Sequence, residues 1–84
     1  MNTKVLVEIY VPELDKKYNI FVPSARKISN VIIDLIKGIG ELSDGAYPSR
    51  LNHALMNSDT CEIYNVSLTF KEAGILNGMK LLLI

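Results

Sequence analysis

Residues 4–11 alternate, with Val5, Val7, Ile9 and Val11 on one side and Lys4, Leu6, Glu8 and Tyr10 on the other. That is the period-two pattern of a strand with one buried face. Pro12, Glu13, Leu14, Asp15 and Lys16 supply turn chemistry, after which Tyr18, Ile20 and Val22 resume the alternation as far as Pro23. The spacing therefore predicts an antiparallel hairpin with a slightly long loop. From Ile28 the period changes: Ile28, Val31, Ile32, Leu35, Ile36 and Ile39 recur every three or four positions, placing them on one stripe of an amphipathic helix. Lys27, Ser29, Asn30, Asp34 and Lys37 form its polar face. Gly38 and Gly40 offer two places for a left-handed cap. Ser24 is a good N-capping type but lies four residues ahead of the stripe.

The second half is less periodic. Residues 41–49, with Asp44-Gly45 and Tyr47-Pro48, read as a loop, and residues 50–56 resume extended character. Asn57-Ser58-Asp59 turns the chain, and residues 61–64 are short enough for an edge strand. Thr69-Phe70-Lys71-Glu72 has the spacing of a capping box, which predicts a short helical turn stopped by Gly74. Asn77-Gly78 favours a turn with positive φ, and residues 79–84 form a final, very apolar strand.

The predicted order is strand, strand, helix, strand, short strand, helical turn, strand. Its economical packing is an α+β mixed sheet around one helix, with the first and last strands parallel at the centre. Eighty-four residues without an internal repeat or linker fit one domain spanning 1–84. Nine basic and nine acidic residues cancel, leaving no basic excess for nucleic acid or an anionic membrane. No window approaches the roughly 18 apolar residues of a membrane span, and residues 1–25 lack the pattern of a secretory signal. With Cys61 the lone cysteine, the chain is expected to be cytoplasmic.

Candidate chemistry is sparse. His53 and Cys61 are the only imidazole and thiol, and no third group is evident to orient them as a nucleophile and base. Structural roles are the expectation for both. A structural zinc requires about four Cys/His ligands, so no metal, cofactor or enzyme activity is expected. Gly38-Ile39-Gly40 follows a helix and lacks the Lys-Ser/Thr of a phosphate loop.

A sheet wrapping one helix resembles the β-grasp, or ubiquitin-like, fold. Tyr18, Ile20, Val22, Ile28, Val31 and Gly40 fall where ubiquitin-like sequences place strand-two and helix core residues and the helix-ending glycine. Within that superfamily the segment Phe70-Lys71-Glu72-Ala73-Gly74-Ile75-Leu76-Asn77-Gly78-Met79-Lys80-Leu81 resembles the Leu-x-x-x-Gly-Ile-x-Asn-Gly-Asp-x-Leu ending of YukD-like (EsaB-like) proteins. These are small bacterial components of type VII secretion. The sequence departs in having Met79 where that family often has Asp, and in a longer stretch over residues 57–68. The resemblance implies a non-catalytic adaptor at the membrane periphery. Its partners would be the membrane ATPase and other membrane subunits that export small helical WXG-type substrates.

Residues 81–84 bear on the alternatives. Ubiquitin-like tags and sulfur carriers resemble one another in ending with a flexible Gly-Gly tail, whereas here the chain reads Leu-Leu-Leu-Ile. A conjugation tag or sulfur carrier is therefore the disfavoured alternative, and a fragment of a toxin-antitoxin or signalling protein is a third. Alternation directs Leu81 and Leu83 inward, leaving Leu82 and Ile84 on the open face. The neighbouring strand adds Ala54 and Met56 if Leu51 and Leu55 face the core, or His53 and Leu55 in the opposite register. Ala54, Met56, Leu82 and Ile84 are the expected protein-binding patch. The competing expectation is that residues 41–49 or a homodimer partner cover it.

Overall fold

The computed structural model describes residues 3–44 and 53–84. Strand β1 (Lys4–Val11) and strand β2 (Lys16–Pro23) form the expected hairpin, in a register running from Lys4 opposite Pro23 to Val11 opposite Lys16. Helix α1 (Ile28–Leu42) follows, then β3 (Leu55–Asn57) and β4 (Lys80–Leu83). The sheet order is β2-β1-β4-β3. Strands β1 and β4 pair in parallel at the centre, as the order of elements predicts.

Burial follows the alternation. Val5, Val7, Ile9 and Val11 of β1, Leu55 of β3 and Leu81 and Leu83 of β4 meet Ile28, Val31, Ile32, Leu35 and Ile39 of α1 in a core to which the described residues contribute no buried polar side chain. Phe70 is the largest fully buried side chain among the described residues and enters from outside the regular elements. Its backbone is stitched to the start of the helix: the Phe70 amide donates to Arg26 O, the Lys71 amide to Ser24 O, and Thr69 bridges Lys27.

Helix α1 starts at Ile28, where the apolar stripe begins, with a loop between it and Ser24, whereas its C-terminal end differs from expectation. Ser24 does not cap it. The first residue before the helix is Lys27, which makes no side-chain cap bond. The exposed amides of the first turn are met by backbone from elsewhere, Ile28 donating to Leu68 O (2.9 Å) and Ser29 to Val66 O (3.0 Å). Gly38 and Gly40 do not end the helix either; it continues to Leu42. Stopping at Gly38 would have left Ile39 exposed, and burying an isoleucine is worth about 2 kcal/mol, more than the roughly 1 kcal/mol cost of a helical glycine. The left-handed residue comes later, at Asp44 (φ 55°).

The expected strand over residues 50–56 is seen as β3, with Ala54 exchanging both backbone hydrogen bonds with Ile84 just beyond the strand ends. Arg50 and Leu51, and with them the proposed Leu51–Leu55 core pair, lie outside the described residues, as does most of the 41–49 loop. The expected edge strand over residues 61–64 reduces to a single bridge between Met56 and Ile63. The Asn77-Gly78 turn has positive φ at Gly78 alone (84°), and it feeds β4 into a parallel pairing by two bonds to Leu6. The Leu6 amide donates to Asn77 Oδ1 (2.7 Å) and the Gly78 amide to Leu6 O (2.8 Å).

The capping box closes as its spacing predicts. The Glu72 amide donates to Thr69 Oγ1 (3.0 Å), and the Thr69 amide donates to Glu72 Oε1 (2.9 Å). The turn then ends in a Schellman arrangement at Gly74 (φ 75°), with Ile75 N–H bonded to Phe70 O and Gly74 N–H to Lys71 O. The Thr69 amide, and after it the hydroxyl, hold the Glu72 carboxyl below the ordinary glutamate range. Because the folded value is the lower one, this contribution is complete above the unfolded pKa of about 4.3 and is lost as pH falls through the folded value. Thr69→Ala is expected to move the Glu72 titration only part of the way back, since the amide bond persists. Carboxyl 13C NMR against pH measures this; an unchanged midpoint would show the hydroxyl is irrelevant.

Candidate functional site: the open face of the sheet

One face of the sheet is covered by α1 and the other carries no element of the described residues. Directly paired residues in neighbouring strands project to the same side, so the register lays out the open face in rows. The central row is Lys17, Tyr10, Leu82, Met56 and Ile63, running through β2, β1, β4, β3 and the bridged residue. Beyond it lie Ile84 and Ala54, joined by their two backbone bonds of 2.9 and 3.0 Å. Ala54, Met56, Leu82 and Ile84, the residues singled out from the sequence, are thus brought together on one face. Next to them Ile63 is 61% exposed, and Ile84 itself is 40% exposed.

Tyr10 and Ile63 extend the patch beyond the expected four. Tyr10 is oriented by Asp15: its hydroxyl donates to Asp15 Oδ1 at 2.8 Å. That hydrogen bond, then partial burial and the Asp15 charge, push the Tyr10 phenol above its ordinary pKa. Asp15 reaches it from the hairpin loop with φ 50°, a conformation that Asp tolerates better than most residues.

The adjacent row is polar. Asn19, Glu8 and Lys80 are aligned by register, and the Ser58 amide donating to Lys80 O continues the row into the β3 side. A shallow depression of about 450 Å³ lies here, lined by Glu8, Tyr10, Asp15, Lys17, Ser58 and Lys80 among others. A second apolar corner follows, where Leu6 opposes Phe21, which is 68% exposed. The open face is therefore banded, with apolar rows on either side of a charged one.

His53 and Cys61 are not brought together. His53 Nδ1 lies 3.2 Å from Ile84 O, at the patch end of β3, while the Cys61 amide bonds Asn57 O at the opposite end. Cys61 is exposed, with φ 62°. No helix of the described residues is long and apolar enough to cross a membrane.

No family model matches the sequence, and no curated protein is significantly similar to it. Solved structures do match. The ubiquitin-like domain of the Mycobacterium tuberculosis type VII secretion system protein EccD1 is 14% identical, with 98% of each chain covered and a TM-score of 0.76. The EccD5 ubiquitin-like domain from Mycobacterium xenopi is 19% identical over 98% of this chain and 93% of that one, with a TM-score of 0.80. A chain of the MycP5-free ESX-5 inner membrane complex is 15% identical over 96% of this chain and 20% of its own length, with a TM-score of 0.77. At these identities the likeness is one of architecture, and with the strand order, the parallel central pair and the single helix it establishes the fold as the ubiquitin-like β-grasp.

Proposed function

We propose that this chain is a non-catalytic, non-conjugating ubiquitin-like adaptor of a bacterial type VII secretion system. It works in the cytoplasm, at the membrane surface through its protein partners, and binds subunits of the secretion machinery, the membrane ATPase foremost. The observation that carries this reading is the near full-length likeness to two EccD ubiquitin-like domains, together with an open sheet face that presents a contiguous apolar row. A face of this kind suits protein binding better than small-molecule chemistry, since its depression is shallow and offers no nucleophile paired with a base.

The test is affinity capture from native cells carrying a tagged chain, with deletion of its gene in parallel. The expected results are co-purification of a membrane-embedded secretion ATPase or its associated subunits, and loss of export of small helical WXG-type substrates. Normal export from the deleted strain together with capture of unrelated proteins would overturn the reading.

A further inference from the structure

We propose that a second copy of this chain docks on the open face, about a two-fold axis running along the strands between β1 and β4. The fold aligns a pair of opposite charges at the centre of this face. Glu8 and Lys80 are direct partners across the two central strands. Among the described residues neither makes an ion pair within 4 Å. A partner complementary to this row would present a base opposite Glu8 and an acid opposite Lys80. A second copy brings both automatically.

Rotation about this axis exchanges β1 with β4. It sets Glu8 over Lys80 of the second copy and Lys80 over its Glu8, giving two equivalent ion pairs, as an isologous contact requires. The same rotation sets Tyr10 over Leu82 of the second copy, Asn19 over its Ser58, and the apolar stem of Lys17 over its Met56. Polar row thus meets polar row and apolar row meets apolar row. Shape agrees with charge: a twisted sheet is a saddle, and rotation about an axis along the strands turns it into the complementary saddle, with strand directions aligned. The zero formal net charge removes any overall repulsion between copies.

At ~4.8 Å between strands and ~3.3 Å per residue the face measures about 20 by 20 Å. That is small beside the roughly 800 Å² per partner of a standard interface, so the association is weak and concentration-dependent. The proposal rests on the reading of the open face as an interface, and is independent of which secretion subunit binds it. Self-association also gives that face a regulated state, because an incoming partner must displace the second copy.

The test is sedimentation equilibrium of the purified chain from about 5 µM to 1 mM, with charge reversals at the two positions. Glu8→Lys and Lys80→Glu are each expected to weaken self-association at least about tenfold. An equimolar mixture of the two is expected to restore it, since each ion pair then joins opposite charges again. Glu8→Gln and Lys80→Gln, each expected to weaken association less, replace any reversal that fails to fold by circular dichroism. A chain monomeric at 1 mM, or a dimer indifferent to these substitutions, would overturn the inference. Capture of secretion subunits by the monomeric Glu8→Lys variant would leave the adaptor reading standing, whereas loss of capture with self-association intact would overturn the adaptor reading alone.

Discussion

Phe70→Ala is expected to lower the thermal midpoint by on the order of 20 °C, or to abolish cooperative unfolding. Phe70 is completely buried and is the largest of the described side chains to be so. Truncating a buried phenylalanine costs about 3–5 kcal/mol, against a total stability of about 5–15 kcal/mol for a domain. In a chain this short each kcal/mol moves the midpoint by roughly 4–8 °C. The site cannot collapse cheaply, because the backbone around it is fixed by the Phe70–Arg26, Lys71–Ser24 and Ile75–Phe70 hydrogen bonds. Phe21→Ala is the control: at 68% exposure it is expected to change stability little. Differential scanning calorimetry of the two variants decides the matter. Comparable midpoints would mean that Phe70 does not anchor the core.

Leu82→Asp is expected to preserve the fold and to remove binding. Leu82 lies between Tyr10 and Met56 at the middle of the open face and is only half-buried. The lost burial is about 1 kcal/mol, a fall of roughly 4–8 °C in midpoint. The large effect on binding comes from the introduced carboxylate: desolvating it among aliphatic side chains at the centre of an interface costs about 2 kcal/mol or more, roughly thirtyfold in affinity. Self-association by sedimentation and subunit capture are both expected to disappear while the circular dichroism spectrum persists. Retention of both activities would move the interface elsewhere, and global unfolding would mean that the face is part of the core.

Local patterns made some of this legible and topology hid the rest. Alternation over Val5, Val7, Ile9 and Val11, the stripe from Ile28 to Ile39 and the Thr69-x-x-Glu72 spacing each report interactions between near neighbours in the chain, and each element forms accordingly. The start of the helix at Ile28 was legible, but the partners of its first amides and its C-terminal end depend on distant residues: those amides are met by Val66 and Leu68, and burial of Ile39 carries the helix through two glycines. The same limit applies to the site. That Tyr10 points outward is visible in the alternation, but its place beside Leu82 depends on a parallel register that no local signal encodes. Ile63 joins the patch through a bridge that follows a turn with Cys61 at φ 62°, and no spacing rule anticipates that offset.

The parallel pairing of β1 with β4 also governs how the chain reaches this state. It joins residues near position 8 to residues near position 80, so the hairpin and the helix are made long before the strand that completes the sheet. Until then the inner flank of β1 has no neighbour and Ile9 no Leu81 beside it. Loop closure of this span must precede most of the apolar gain, which makes folding slow relative to a helical bundle of the same size. During synthesis the exposed flank of β1 is open to wrong pairing.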